Sequence, residues 1–243
     1  MSAVQYLGHS TVLVDLDGTQ LVTDPMLRRR VGHLLRAQPI AALGEIDGVL
    51  VSHAHRDHLD LPSIARFEPA IPVVLPRGLG RLLKRRERVI EVDVGDEVEL
   101  DGLTVRATEA VHDGKRPGGR ASGPALGYEI RGSKRIYFAG DTDLFPAMEG
   151  LVEDLDVALI PIWGWGPSLG RGKHLDPAGA AEAVRMLRPR IAVPIHWGTY
   201  RPLHHGPRAR FLREPAEAFV REAEARAPDV EVRVLQPGET LQL

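Results

Sequence analysis

Three imidazoles and a carboxylate fall within six residues at His53-Ala54-His55-Arg56-Asp57-His58, directly after the apolar run Val49-Leu50-Val51. Side chains alternate faces along an extended chain, so His53 and His55 can share a direction, while Asp57 and His58 lie past the strand end where the backbone can turn. The spacing therefore yields two separate donor pairs. Neutral imidazole nitrogens and carboxylate oxygens are donors that borderline cations such as Zn²⁺ accept, and two donor groups side by side point to two neighbouring metals. The chain has no cysteine, which rules out disulfides and thiolate ligands and leaves His, Asp and Glu to hold any metal.

Such donors need a frame. Short β-rich runs open the chain at Val4–Leu7, Thr11–Leu16 and Gln20–Val22, the last two joined through Asp17-Gly18, a strong hairpin signal. The strand Val49–Val51 leads into the cluster, followed by a helix over Leu61–Phe67, a strand at Ile71–Leu75 and a helix over Leu79–Arg88. Strands follow at Val89–Val92, Glu97–Leu100, Leu103–Thr108, Leu126–Ile130 and Arg135–Ala139, with Gly132-Ser133 as the turn between the last two. Asp176-Pro177 opens a helix through Leu187, with Asp176 as N-cap, Pro177 at its first position and Pro189 ending it. A buried strand at Ile191–Ile195, a helix from Glu214-Pro215 to Ala227 and strands at Val230–Leu235 and Thr240–Leu243 complete the order. A strand-rich half ending in a helix is followed by a half with the same plan, so the economical reading is one domain over residues 1–243, its halves packed face to face.

Composition agrees. At 243 residues, 43% hydrophobic and a net charge of -2, the chain can bury a large core and is not of disordered type. No apolar run approaches the roughly 20 residues that span a bilayer, and the N-terminus lacks a signal-peptide pattern, so a cytoplasmic location is expected. Near-neutral charge argues for neither nucleic acid nor membrane as a partner, and a homo-oligomer stays open. The arginine clusters Arg28-Arg29-Arg30 and Arg85-Arg86 read as solvated faces, and Met26–Arg36 as a short surface amphipathic helix, with a flap over an anionic substrate as the other reading.

Further donors stand just past predicted strands, where layered folds deliver side chains to one shared edge: His112 after Leu103–Ala110, Asp141 after Ile136–Ala139 and His196 after Ala192–Ile195. Trp163 and Trp165 follow the run Val157–Ile160, which places them at the same edge as pocket lining. The glycine-rich, basic stretch His112–Arg120 reads as a loop beside the metals that helps decide the substrate. His204 and His205 read as surface residues.

Taken together, the pattern His-x-His-x-Asp-His with a later His, Asp and His resembles the metallo-β-lactamase superfamily of binuclear metal hydrolases. The resemblance implies an α/β fold, a four-layer αββα sandwich of two mixed sheets flanked by helices. It implies His53, His55 and His112 on one metal, Asp57, His58 and His196 on the other, Asp141 bridging, and Asp24 orienting the ligands through hydrogen bonds. Gly8-His9-Ser10-Thr11, Thr23-Asp24-Pro25, His174-Leu175-Asp176-Pro177 and Ile195-His196-Trp197-Gly198-Thr199-Tyr200 look like the branch containing N-acyl-phosphatidylethanolamine-hydrolysing phospholipase D and, more distantly, the ascorbate-6-phosphate lactonases. That branch implies His174 facing the substrate for proton donation or oxyanion stabilisation, and His9 near the site.

The chemistry so implied is hydrolysis by two divalent ions about 3.5 to 4 Å apart that share a hydroxide, oriented with help from Asp57. Zn²⁺ is the first expectation, with Mn²⁺ or Fe²⁺ as supply dictates. The expected partner is a small molecule, anionic or phosphorylated, with a phosphodiester or a carboxylic ester, lactone or amide to be cut. The lack of cysteine excludes the cysteine-ligand β-lactamases, and His55 in place of a glutamate argues against a flavodiiron enzyme. No inserted basic arm of the kind tRNA-processing nucleases carry is visible, and an RNA-processing nuclease or a non-catalytic metal scaffold remains as the alternative.

Overall fold

Residues 2–116, 118, 122–163 and 174–243 are described by the computed structural model. The first half contributes β1 (Ala3–Gly8), β2 (Thr11–Leu16), β3 (Thr19–Thr23), β4 (Arg30–Val31), β5 (Leu34–Arg36), β6 (Gly48–Leu50), α1 (Leu61–Ile64), β7 (Val73–Pro76) and β8 (Val89–Val92). The second contributes β9 (Glu97–Leu100), β10 (Leu103–Glu109), β11 (Leu126–Arg131), β12 (Arg135–Phe138), β13 (Val157–Pro161), α2 (Pro177–Leu187), β14 (Ile191–Ile195), β15 (Tyr200–Pro202), α3 (Glu214–Arg226), β16 (Glu231–Val232) and β17 (Thr240–Gln242).

Two seven-stranded mixed sheets result, ordered β17-β1-β2-β3-β6-β7-β8 and β16-β14-β13-β12-β11-β10-β9. Each follows one plan. In the first, β17, β1, β2 and β3 pair antiparallel and β6, β7 and β8 are added in parallel. In the second, β9 to β12 pair antiparallel and β13, β14 and β16 are added in parallel. The chain's last strand thus returns to complete the first sheet.

Local chemistry explains the joints. Asp17 and Gly18 both take positive φ, 56° and 90°, the backbone a two-residue hairpin between right-twisted strands requires. The Asp17 carboxylate also accepts hydrogen bonds from the Ser133 N–H and hydroxyl, clipping the β2–β3 hairpin to the β11–β12 hairpin. At α2, Asp176 accepts from the Gly179 N–H at 2.8 Å and Pro177 occupies the first turn. Arg188 ends that helix in the left-handed region, φ 49°.

Side chains from both sheets, among them Tyr6, Val14, Leu50, Val105, Tyr128 and Phe138, share one buried core that continues under α2 and α3 through Ala180, Val184 and Phe219. A second cluster covers the outer face of the first sheet, where Leu59, Ile64, Leu79 and Leu83 lie over Val22, Val49, Val51, Val73 and Leu75. The αββα layering follows, with a thin outer layer on the first sheet.

Three expected helices come out differently. The helix over Leu61–Phe67 stops at Ile64. Leu79–Arg88 holds a single 3₁₀ turn, Gly80–Leu82, because the Glu91 carboxylate draws the Gly78 and Gly80 N–H groups at 3.0 and 2.7 Å, and Arg86 reaches back to the Phe67 and Ile71 carbonyls at 2.8 and 2.7 Å. The surface helix expected over Met26–Arg36 is a β4–β5 hairpin that turns at Gly32, φ 55°, and pairs with β15. Its Arg28 is taken by Asp60 in a two-pronged ion pair, at 2.9 and 2.6 Å.

Candidate metal centre

Both sheets end their parallel strands at one edge, and the predicted donors stand there: Asp24 after β3, His53 after β6, Asp141 after β12, Trp163 after β13 and His196 after β14. The backbone is bent to aim them. Asp24, His196 and His9 adopt φ of 34°, 63° and 58°, a region that costs a side-chain-bearing residue roughly 1–3 kcal/mol and that persists where the surroundings enforce it. Two backbone hydrogen bonds sew the sheets together here, His196 N–H to His9 O at 2.7 Å and Leu126 N–H to Ser52 O at 2.9 Å.

Side-chain donors converge into overlapping groups whose ligand atoms all lie within 4.8 Å of one another: His53, His55 and His112; Asp57, His58, His196 and His9; His53, His58 and Asp141; and His112, Asp141 and His174. The Asp141 carboxylate stands at the centre. Its Oδ2 is 3.1 Å from His58 Nε2, 3.3 Å from His174 Nδ1, 3.9 Å from His112 Nε2 and 4.0 Å from His53 Nε2, and its Oδ1 is 3.3 Å from His196 Nε2. Asp57 Oδ2 lies 3.1 Å from His9 Nε2, 3.8 Å from His58 Nε2 and 4.0 Å from His196 Nε2. His112 Nε2 is 3.1 Å from His55 Nδ1.

The far side of each ring is anchored. The fully buried Asp24 takes His58 Nδ1 at 2.6 Å, the Ser52 N–H at 2.7 Å and the Ser52 hydroxyl at 2.6 Å. Ser52 Oγ in turn stands 2.9 Å from His53 Nδ1, and the Trp163 carbonyl accepts from His196 Nδ1 at 2.5 Å. Inward, His53 Nε2, His58 Nε2 and Asp141 Oδ1 are buried with no hydrogen-bond partner among the described residues. Leaving such groups unsatisfied costs about 1–3 kcal/mol each, so atoms held on one side and bare on the other fit a cation between them.

Electrostatics favour the ligating forms. Burial, reinforced by the neighbouring His58, holds His53 well below its ordinary value, and burial brings His196 down to about 3 against the pull of Asp141. Burial alone would raise the Asp141 and Asp57 carboxyls, but the surrounding histidines, chiefly His196 and His58 for Asp141 and His58 and His9 for Asp57, hold both well below the usual range. His58 is the exception. Burial pushes it down, yet Asp141, Asp24 and Asp57 outweigh that and raise it.

All seven expected ligands therefore meet at one place, with Asp24, His9, His174 and Trp163 around them. Trp165, with Pro117, Gly119 and Arg120 of the glycine-rich loop, lies outside the described residues. His9, expected near the site, has its ring 4.0 Å from that of His196, and its backbone N–H donates to Thr199 Oγ1 at 2.6 Å. Ser52 went unnoticed, although a hydroxyl residue directly before His53 was the signal. His205 is exposed, as read, and its ring packs edge-on against Phe211, which stacks on Trp163.

Residues 19–197 match the model of the β-lactamase superfamily domain. The chain belongs to the metallo-β-lactamase superfamily. As a superfamily member it is similar along its whole length to a metal-dependent hydrolase of the UPF0173 group from Thermus thermophilus, 34% identical over 252 residues with 100% of both chains covered. It is 32% identical over 226 residues to an N-acyl-phosphatidylethanolamine-hydrolyzing phospholipase D of Caenorhabditis elegans, across 80% of this chain and 63% of that longer protein. Among solved structures, the metallo hydrolase Igni18 of Ignicoccus hospitalis superposes with a TM-score of 0.73 at 26% identity, covering 99% of this chain and 97% of the other. The diiron β-hydroxylase CmlA of Streptomyces venezuelae shares the fold at 20% identity, TM-score 0.71 over 100% of this chain and 54% of its own. No helix among the described residues is long and apolar enough to cross a membrane.

Proposed function

We propose that this superfamily hydrolase is binuclear and cuts a phosphodiester or a carboxylic ester, lactone or amide in a small molecule. The observation that carries the reading is the convergence of buried, inward-facing donor atoms of His53, His58 and Asp141, backed by Asp24 and Ser52. His53, His55 and His112 would hold one cation, Asp57, His58 and His196 the other, and Asp141 would serve both. The donors are nitrogen and oxygen without sulfur, which suits Zn²⁺ first and admits Mn²⁺ or Fe²⁺. Two such ions, when bound, supply an activated water at neutral pH and an electrophile for the oxygen under attack.

The chain's own groups do the rest. Asp57, held in its anionic form and partly open to solvent, accepts a proton from the attacking water and fixes its direction. His9 Nε2, 3.1 Å from Asp57, keeps that carboxylate in place. His174 lies at the other flank of Asp141, and its ring packs 4.6 Å from that of His112; there it donates a proton to the leaving atom or hydrogen-bonds the developing oxyanion.

The test begins with metal analysis of purified protein and turnover of bis(p-nitrophenyl) phosphate beside a set of lactones. His174→Ala is expected to retain its metal while losing on the order of 10²–10⁴-fold in kcat, the scale of a lost general acid. Fewer than one metal per chain after growth with added zinc and manganese would sink the reading.

A further inference from the structure

Arg36 closes the β4–β5 hairpin and is only 5% exposed, whereas Arg28, Arg29 and Arg30 of the same hairpin segment reach solvent. Burying a guanidinium is costly unless its donors are met. Its Nη2 donates to the Leu7 carbonyl, and its Nη1 to the Met26 carbonyl at 3.1 Å and to the Tyr200 hydroxyl at 3.4 Å. These acceptors are neutral, two carbonyls and a phenol, so the rigid fork of donors matters here more than charge pairing. The approach is close, since a Cβ on Gly8 would come within 2.6 Å of Nη2.

Each acceptor adjoins a residue with left-handed backbone. Leu7 stands two residues before His9, Met26 two after Asp24 and Tyr200 four after His196, and those three residues have φ of 58°, 34° and 63°. Such conformations persist where the surroundings over-determine them, and one guanidinium here ties all three segments together. Neighbouring bonds tighten the knot: the Tyr200 hydroxyl donates to the Arg28 carbonyl at 2.8 Å, and the Ala37 N–H to the Thr199 carbonyl at 2.8 Å. The three turns serve one set of donors. His9 Nε2 lies 3.1 Å from Asp57, Asp24 takes His58 Nδ1 at 2.6 Å, and His196 is itself a donor. His53 is one link further away, through the Ser52 hydroxyl, and His55 and His112 stand on segments that Arg36 does not touch.

We propose that Arg36 is the positioning residue for one of the two cation places, that of Asp57, His58 and His196, and acts on it through the turns of His9, Asp24 and His196. The inference rests on the proposed binuclear site. Arg36 itself ligates nothing; it fixes the backbone from which one ligand and the supports of the other two project. A lysine in its place would keep the charge and lose the fork that reaches three segments.

Zinc titration of metal-stripped protein against a chromophoric chelator tests this without turnover. The wild type is expected to show two binding steps, and His196→Ala, which removes a ligand, marks the step that belongs to this place. Arg36→Met should weaken that step by about 10–100-fold and leave the other within about twofold. Tyr200→Phe, which keeps the ring and takes away one acceptor, should weaken the same step by at least about threefold, and it decides the matter alone should Arg36→Met fail to fold. Arg86→Met is the comparison, because Arg86 also donates to two backbone carbonyls, at 2.8 and 2.7 Å, but in the outer layer. It should lower stability in denaturant unfolding and move neither step. Two steps in the wild type that Arg36→Met or Tyr200→Phe weakens alike, or leaves unmoved, overturn the inference, as does the same selective loss in Arg86→Met. A wild type with a single step defeats the binuclear reading itself, and this inference with it.

Discussion

Asp24 makes three hydrogen bonds that matter more than its distance from any substrate. One oxygen takes His58 Nδ1 and the Ser52 hydroxyl, the other the Ser52 N–H, so a single carboxylate fixes the tautomer of one ring and, through Ser52, the orientation of His53. Loss of such a supporting group commonly weakens metal binding by about 10–100-fold. Asp24→Ala is therefore expected to lose metal affinity on that scale in competition with a chromophoric chelator; an unchanged affinity would remove Asp24 from the supporting set. Much of the site was legible at this scale because His53, His55, Asp57 and His58 are contiguous and the remaining donors each follow an apolar strand. His9 was legible only through the family resemblance, because its place depends on a hydrogen bond between its carbonyl and His196, 187 residues away, a pairing that only the closed sandwich creates.

At the scale of elements, the turns that aim the donors are as constrained as the donors. Gly140, φ +61°, precedes Asp141, and a Cβ there would meet Ser52 Cβ at 2.6 Å and the Leu126 carbonyl oxygen at 2.8 Å. Neither is the loose end of a flexible side chain. Gly140→Ala is expected to cost about 1–3 kcal/mol by overpacking and to reduce bound metal, since it pushes apart the two sheets that Asp141 and Ser52 connect. Gly95→Ala is the comparison: φ is +93° but the space is open, so stability should fall with metal content intact. Denaturant unfolding and metal analysis read both, and full metal content in Gly140→Ala would refute the account. Elements whose residues decide their own conformation were readable, as in β2, β8, β9, β14 and α2, where short apolar or β-rich runs, Asp176 and Pro177 suffice. Leu79–Arg88 was misread because Leu79 and Leu83 have helical spacing, yet distant groups, the Glu91 carboxylate and the Phe67 and Ile71 carbonyls, capture its backbone and arginine. Met26–Arg36 misled likewise, since the partner that makes it a strand pair, β15, lies far along the chain.

For the whole molecule, the proposed ligands come from both sheets: His53, His55, Asp57 and His58 from the first, His112, Asp141 and His196 from the second. A cation held between them therefore closes one end of the sandwich, while Asp17 and Ser133 clip the other. Ligand that binds only the folded state at a thousandfold over its Kd adds about 4 kcal/mol, which for a chain of this size is a melting shift of about 10 °C. Chelator-treated protein is expected to melt lower by that order and to recover on adding Zn²⁺. The shift should also depend on pH with a definite sign. Metal takes deprotonated imidazole, and His58 is raised above its ordinary value by Asp141, Asp24 and Asp57, so in metal-free protein it holds a proton that the cation must displace. As pH falls below that raised value the displacement becomes costlier, and the gap between loaded and stripped melting temperatures should shrink from about pH 8 to about pH 6. His53 and His196, held low by burial, add little in that window. A gap that persists unchanged across it would mean that His58 is not a ligand.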